Sequence, residues 1–338
     1  QDYQRLNLRS TLDMQTKEYL KIGYSATLSG FKTTDAPSAF YQAYTTPPVF
    51  APKQNDTTFT DPTPLGLGNF PNPAATMYYY NSNSNGLRLV GNVYAEINFL
   101  KHFQFRSSYG TDLGYARNRS YSPYYQVSPT QTDTSRTLSR AWTYNYKGVW
   151  DNTLTFENTF GDHRVKAMAG MAAQEERGLG LNGSNNGVMD YGDQSLYLGL
   201  GGEDGKSVGD WGYKKTALSY FGRVNYSFRD RYLFTGTLRY DGSSVFPVND
   251  RWDLFPSVGL GWIITGEKFM ANQKIFDFLK LRASWGVNGN NNIPANVYRL
   301  TIAQGGELST AFGQGGNVVI AEGANITSAV PPTLRWEK

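Results

Sequence analysis

Residues 20–29 read Leu-Lys-Ile-Gly-Tyr-Ser-Ala-Thr-Leu-Ser. Leu20, Ile22, Tyr24, Ala26 and Leu28 are apolar, while Lys21, Gly23, Ser25, Thr27 and Ser29 are polar or small. A period of two held over ten residues puts the apolar set on one face of a β-strand, whereas a helix would scatter it around its circumference. Just upstream, Leu6, Leu8, Leu12 and Met14 alternate with Asn7, Arg9, Thr11 and Asp13. Only Gln15-Thr16-Lys17-Glu18 separates the two runs, a hairpin-sized gap.

The pattern recurs along the chain. Val93, Ala95, Ile97 and Phe99 lead through Leu100-Lys101-His102 into Phe103, Phe105 and Tyr109. Trp150, Leu154, Phe156 and Phe160 lead through Gly161-Asp162-His163-Arg164 into Val165, Ala167, Ala169, Met171 and Ala173. Leu218, Tyr220, Val224, Tyr226 and Phe228 lead through Arg229-Asp230-Arg231 into Tyr232, Phe234, Leu238 and Tyr240. Val258, Leu260, Trp262 and Ile264 are followed by a longer link and then by Leu279, Leu281, Ala283, Trp285 and Val287. This gives about ten strands in five hairpins, each of roughly 9–11 residues, the length that crosses a bilayer when tilted.

Long connections alternate with these short ones. Residues 30–86 carry eight prolines from Pro37 to Pro73, and 113–141, 174–216 and 289–333 are rich in Gly, Asn, Ser and Thr. Structureless loops beyond about 12–15 residues are uncommon in soluble domains. Membrane barrels have short turns on the periplasmic side and long loops outside. The two strand faces differ accordingly: one carries Leu, Val, Phe, Tyr and Trp, the other Arg223, Asn225, Arg239, Asp241, Lys280, Arg282 and Ser284. A sheet with one wet face or a barrel with a watery lumen accommodates that many charges. Tyr226, Tyr232, Trp262 and Trp285, read as strand ends, suit interfacial girdles.

Composition excludes several functions. The 338 residues carry 32 Lys+Arg against 28 Asp+Glu, a formal charge of +4, without the clustered basic surplus of a nucleic-acid binder. The absence of Cys removes disulfide scaffolds, Cys-based zinc sites and thiol nucleophiles. No run approaches the roughly 18 apolar residues of a membrane-spanning helix. The mean hydropathy of −0.50 resembles that of a soluble protein, but alternating strands average out in the same way. Gln1-Asp2-Tyr3-Gln4-Arg5 lacks the basic-then-apolar plan of a signal peptide.

Motifs for chemistry fare poorly. Gly178-Leu179-Gly180-Leu181-Asn182-Gly183 matches G-x-G-x-x-G, but Ser184-Asn185-Asn186-Gly187 follows it where a dinucleotide site needs a helix. Gly205-Lys206-Ser207-Val208-Gly209 matches G-x-S-x-G in a stretch read as a loop, without a helical period after it. His102 and His163 are the only imidazoles, both in short turns and neither with a ligand-spaced partner. The carboxylate pairs Glu175-Glu176 and Glu203-Asp204 also read as loop residues. Neither enzymatic activity, nor a cofactor, nor a bound metal is expected.

An ordered series of segments carries a resemblance. Tyr220-Phe221-Gly222-Arg223-Val224-Asn225-Tyr226, Tyr232-Leu233-Phe234, Arg239-Tyr240-Asp241-Gly242-Ser243-Ser244-Val245-Phe246, Phe255-Pro256-Ser257, Gly261-Trp262, Glu267-Lys268-Phe269 and the run from Phe278 to Asn290 follow one another in that order. The series resembles the SusC/RagA family of TonB-linked outer-membrane transporters. Leu334-Arg335-Trp336-Glu337-Lys338 looks like the family's Leu-Lys-Trp-Glu stretch, and Asn72-Pro73, Gly110-Thr111-Asp112 and Phe160-Gly161-Asp162-His163 are similar too. The likeness is strong over 216–288 and diffuse elsewhere; its specificity lies in the order, since Asp-Gly-Ser-Ser alone would be weak.

The resemblance implies an all-β antiparallel transmembrane barrel of roughly 22 strands, with long extracellular loops and short periplasmic turns. It also implies an N-terminal plug, a segment that contacts the TonB complex, and a SusD-like surface lipoprotein that lids the barrel and captures oligosaccharide or peptide. Residues 1–338 are expected to be part of such a barrel, with the plug domain and C-terminal strands absent from this chain. Ten strands alone would leave two unpaired edges in lipid, each backbone group costing several kcal/mol. The expected role is TonB-dependent nutrient import across the cell outer membrane. Arg239, Asp241, Lys280 and Arg282 are candidate lumen-lining residues, with wall-to-plug salt bridging or plain lumen solvation as the alternatives. Tyr41, Tyr44, Tyr78, Tyr79 and Tyr80 are candidates for stacking on sugar rings or packing against the lid. Two other readings are a siderophore or vitamin receptor of the same energised type and a soluble all-β glycan-binding or hydrolytic module. A propeller would repeat every 40–50 residues, and no such repeat occurs here.

Overall fold

The computed structural model describes every residue except 1, 38, 50, 67–69, 193–195, 314–318 and 329–333. Among the described residues fourteen strands follow one another: β1 Asp2–Lys17, β2 Leu20–Thr34, β3 Asn81–Phe99, β4 Phe103–Ser122, β5 Tyr125–Gln126, β6 Thr132–Asp133, β7 Thr137–Phe160, β8 His163–Asn185, β9 Ser207–Phe228, β10 Tyr232–Ser243, β11 Trp252–Ile263, β12 Lys280–Gly286, β13 Ile302–Phe312 and β14 Val319–Ile326. Two short helices, α1 Phe40–Thr45 and α2 Pro73–Tyr79, lie between β2 and β3. Ten strands form one antiparallel sheet in the order β1-β2-β3-β4-β7-β8-β9-β10-β11-β12; β5–β6 and β13–β14 are separate small hairpins.

The ten expected strands are present, and the short connections lie at one end of the sheet. They are Glu18-Tyr19, Leu100-Lys101-His102, Gly161-Asp162, Arg229-Asp230-Arg231 and the longer link 264–279. Leu100 and Lys101 (φ 49° and 61°), and Arg229 and Asp230 (φ 53° and 51°), take the left-handed pairs that match the twist of a tight hairpin. Gly161 (φ 58°) supplies the same conformation without a Cβ clash.

The strands are longer than the spacing suggested. β3, β4, β7, β8 and β9 have 19, 20, 24, 23 and 22 residues, about twice the bilayer-crossing length. The loops shrink to match, to 35–80, 123–136 and 186–206. The first hairpin turn likewise moves to Glu18-Tyr19, because β1 runs on to Lys17.

Two motif readings change with these boundaries. Gly178–Gly183 is not loop but β8, and Ser207–Gly209 opens β9. Glu175 and Glu176 are also on β8. In register, Gly180 faces Trp211 and Gly178 faces Tyr213. A Cβ on Gly180 would run into the Trp211 indole, so the glycine makes room for a cross-strand aromatic rather than for a phosphate.

Register makes the apolar face continuous. Phe103, Phe156, Ala167, Val224, Gly236, Val258 and Trp285 pair in one row across seven strands, from β4 to β12. This apolar face is the more exposed one: Leu238 is 51% exposed, Leu260 58% and Leu281 61%. Thr235, Thr237, Ser257 and Gly259 on the polar face are half-buried. Burial is therefore inverted relative to a water-soluble sheet.

The buried hydrophobic residues lie elsewhere. Tyr121, Leu138, Val188 and Leu196 form one cluster at the long-loop end. Val245, Phe246, Phe255 and Trp336 form another. The second cluster seats the Leu334–Lys338 stretch, with Trp336 donating its indole N–H to the Arg251 carbonyl at 2.9 Å.

The exposed apolar band has a measurable height. On β8 it runs from Val165 near the turn to Ala173, after which Glu175 and Arg177 take the same face; on β9 it runs from Phe228 to Leu218, followed by Thr216 and Lys214. Eleven residues at about 3.3 Å each, tilted about 45°, give roughly 26 Å. Aromatics edge the band on both sides. Phe99–Phe103, Phe103–Phe156 and Phe228–Tyr232 contact one another near the short turns, and Tyr220, Tyr240 and Trp252 stack at the far edge. Tyr226, Tyr232 and Trp262 sit at the short-turn edge as expected. Trp285 does not: opposite Val258, it lies near mid-band, because β12 crosses only part of the height.

Candidate functional site

The polar face carries charges arranged mostly in pairs. Arg88 holds Asp112 through two bonds of 2.8 and 2.5 Å, Arg106 reaches Glu96 at 3.4 Å, and Lys166 reaches Glu157 at 2.8 Å. Arg239 Nε donates to both Asp241 oxygens at 2.7 Å, and its Nη2 donates to Ser219 Oγ at 2.9 Å. Its guanidinium also lies over Phe221, 5.5 Å from the ring centre. Two candidate residues thus hold each other within the wall.

Lys280 and Arg282 are apart from that pair. Arg239 is level with Phe255, while Arg282 is level with Gly261, six residues lower on β11 and about 20 Å away along the strand. Neither Lys280 nor Arg282 has a side-chain hydrogen bond or ion pair among the described residues. The four candidates therefore form two separate features, one neutralised high on the wall and one cationic near the short turns.

The loop tyrosines divide as well. Tyr41 and Tyr44 on α1 are 77% and 89% exposed, and Tyr78 and Tyr80 are also exposed. Tyr79 instead stacks on Tyr125, with centroids 4.5 Å apart and planes 9° off parallel, and meets Phe59 edge-on at 5.6 Å. Tyr78 packs on Phe59 at 5.3 Å, with Lys53 above both rings. Burial holds the Tyr125 hydroxyl above its usual range. Tyr79 is thus structural, whereas Tyr41, Tyr44 and Tyr80 present open faces.

A polar knot positions these loops. Asn72, fully buried, caps α2 by accepting from the Ala74 and Ala75 N–H groups, and its amide donates to the Pro52 and Thr60 carbonyls at 2.7 and 3.0 Å. Its backbone N–H donates to Gln131 Oε1 at 2.7 Å, and Gln131 Nε2 donates to the Asn72 carbonyl and to Thr76 Oγ1, both at 3.0 Å. The knot ties loop 35–80 to loop 123–136. Asn72-Pro73 is read in sequence only as part of the family resemblance; an Asn followed by Pro is also the local signal of a helix N-cap, whereas Gln131, 59 residues away, has no such signal. Asn72→Ala removes the cap and strands two carbonyls, a loss of about 2–4 kcal/mol of local stability. Hydrogen exchange across 51–80 should rise by orders of magnitude while β3 and β4 stay protected; unchanged exchange would remove the knot's assigned role.

Among the described residues no group of three or more acidic or histidine side chains is arranged to hold a metal. The two histidines lie at short turns, His163 Nδ1 within 2.7 Å of Tyr226 Oη and His102 edge-on to Phe156.

A chain-ordered antiparallel sheet with an exposed apolar band, aromatic edges and a wet opposite face is an arc of a transmembrane β-barrel. Residues 21–338 match the family described as TonB dependent receptor-like, beta-barrel. SusC of Bacteroides thetaiotaomicron, a TonB-dependent receptor, is 30% identical over 239 residues, 66% of this chain and 21% of SusC. TonB-dependent receptor P26 of Formosa agariphila is 26% identical over 336 residues, 97% of this chain and 33% of that protein. The RagAB peptide importer in its closed-closed state has the same fold, with a TM-score of 0.80 at 20% identity over 99% of this chain and 37% of that one. The chain belongs to the TonB-dependent-receptor-like β-barrel family of the outer membrane, and the SusC/RagA resemblance read from 216–288 is borne out. It spans 21% to 37% of the length of these relatives.

Proposed function

We propose that this chain is part of the wall of an energised importer that takes up oligosaccharides or peptides through the outer membrane. The observation that carries the reading is the two-faced wall: a greasy belt outside, paired charges inside, and a braced loop layer at one end only. The paired charges keep the lumen wet and the wall rigid, so no covalent chemistry is asked of it. Tyr41, Tyr44 and Tyr80, with open ring faces at the long-loop mouth, would meet either sugar rings or a SusD-like lipoprotein lid. Lys280 and Arg282, unneutralised near the periplasmic end, would face a plug supplied by chain outside these residues. TonB would act through such a segment to move the plug. Similarity to SusC, a TonB-dependent receptor, supports the energised class, and RagAB, described as a peptide importer, supports the peptide arm of the proposal.

The role is testable by gene deletion followed by growth on single polysaccharides and on peptide mixtures. Growth and uptake should fail on at least one polymer or peptide source and be restored by the full-length gene. Unchanged growth and uptake on every source would reject the import role.

A further inference from the structure

The outward face of β8 and β9 changes character abruptly above the apolar band. Ala173 and Leu218 are level with Trp252 through Gly242. Glu175 and Thr216 come next, and then Arg177 pairs across to Lys214. β10 ends at Ser243, opposite Ala217, so no strand pairs with β9 on that side from Thr216 upward. Residues from 244–251 and 296–299 fill the space and enclose a cleft of about 690 Å³.

Arg177, Lys214, Arg251 and Arg299 all line this cleft, together with Thr216 and Tyr298, and among the described residues no carboxylate does. Glu175 lies beside it, accepting from Arg177 Nε at 2.5 Å and from Lys214 Nζ at 2.9 Å, and among the described residues no hydrogen bond takes up the terminal nitrogens of Arg177. Side-chain hydrogen bonding to Arg299 and, after it, to Arg251 holds the Tyr298 hydroxyl below its usual range, against the opposing effect of burial. Lys214 lies four residues above Leu218, about 13 Å along the strand and roughly 9 Å along the membrane normal. The headgroup layer occupies roughly 5–8 Å beyond the hydrocarbon on each side, so the backbone of Lys214 lies at its outer margin and the long Lys and Arg side chains reach back into it. Arg177, Leu179, Gly212, Lys214 and Thr216 belong to the outward parity and Tyr213 alone of the β8 and β9 lining to the other, so the cleft opens mainly away from the lumen.

We propose that this cleft holds the phosphate of a phosphorylated glycolipid of the outer leaflet, whose acyl chains run down the apolar face past Ala173, Leu218 and the Tyr220–Trp252–Tyr240 stack. Arginine forks suit phosphate oxygens, and the apolar band directly beneath gives the lipid tails their place. The inference depends on the outer-membrane placement and is independent of what the barrel transports.

The test uses the full-length protein in lipid nanodiscs. Bound lipid is read by native mass spectrometry during titration with bis-phosphorylated lipid A, with the same lipid stripped of phosphate, and with inorganic phosphate. Phosphorylated lipid should bind, and its affinity should fall about tenfold or more in Arg177→Gln/Lys214→Gln and in Arg299→Gln. Lys101→Gln, at the short-turn end, controls for net charge and should bind as the parent does. If the double variant fails to fold, Arg299→Gln alone decides. Equal affinity in all variants, equal binding of phosphate-free lipid, or inorganic phosphate filling the cleft as tightly as the lipid would each overturn the proposal.

Discussion

Leu238→Arg is expected to cost the folded protein about 2–4 kcal/mol, whereas Ser257→Arg on the opposite face should cost under about 1 kcal/mol. Leu238 lies near the middle of β10, 51% exposed, between Gly222 and Pro256 on the apolar face. In lipid, a guanidinium at mid-depth must either leave water or drag it in, and nothing on that face can pair with it. Ser257, one position from Pro256 on β11, is half-buried on the polar face beside Thr237 and Gly286, where an added cation stays hydrated. Urea titration of the full-length protein folded into bilayers measures both changes. Equal costs, or a larger cost at Ser257, would reverse the face assignment.

Trp336→Ala is expected to lose about 3–5 kcal/mol, comparable to other buried aromatic truncations. Trp336 is 8% exposed and touches Phe246 and Phe255 with centroids 5.1 and 5.2 Å away. It is the inserted member of the buried cluster it forms with Val245, Phe246 and Phe255. Its removal empties the seat between the β10–β11 loop and the Leu334–Lys338 stretch, which is otherwise held by the Asn290–Glu337 bridge and the Lys338–Asp253 ion pair at 2.7 Å. Trp336→Phe should recover most of the loss and forfeit only about 1 kcal/mol for the indole bond to Arg251. The same urea titration checks both; a loss below about 1 kcal/mol for the alanine variant would show that the cluster does not anchor this segment.

The wall was legible in sequence because its signal is local. Leu20 to Ser29 alternates without a break, and the whole run lies within β2. Short-turn chemistry at Leu100-Lys101, Gly161 and Arg229-Asp230 marked one end of the sheet correctly. The other end was not legible. Above the band both strand faces meet water, so alternation fades although pairing continues, and β8 past Ala173 looked like loop for that reason. Gly178 and Gly180 reinforced that impression, because their cross-strand partners Tyr213 and Trp211 lie more than thirty residues away.

The site followed the same division. That Arg239, Asp241, Lys280 and Arg282 share a face follows from parity alone. That Arg239 is spent on Asp241, about 20 Å from Arg282 along the strands, depends on register and side-chain reach. Tyr79 and Tyr41 are indistinguishable as loop aromatics until Tyr125 and Phe59 arrive from elsewhere in the chain to cover one of them.

The chain lacks cysteine, so single-cysteine reporters can be introduced cleanly along β10 and β11. Spin labels at positions 234, 238, 240 and 258, and at 235, 237, 257 and 259, would be compared in bilayers for relaxation by oxygen, which concentrates in lipid, and by a water-soluble nickel chelate. Labels at the first four positions should respond to oxygen and be shielded from nickel, and labels at the second four should do the reverse. The same response at both sets, or oxygen access confined to the second, would contradict a wall with lipid on one side and water on the other.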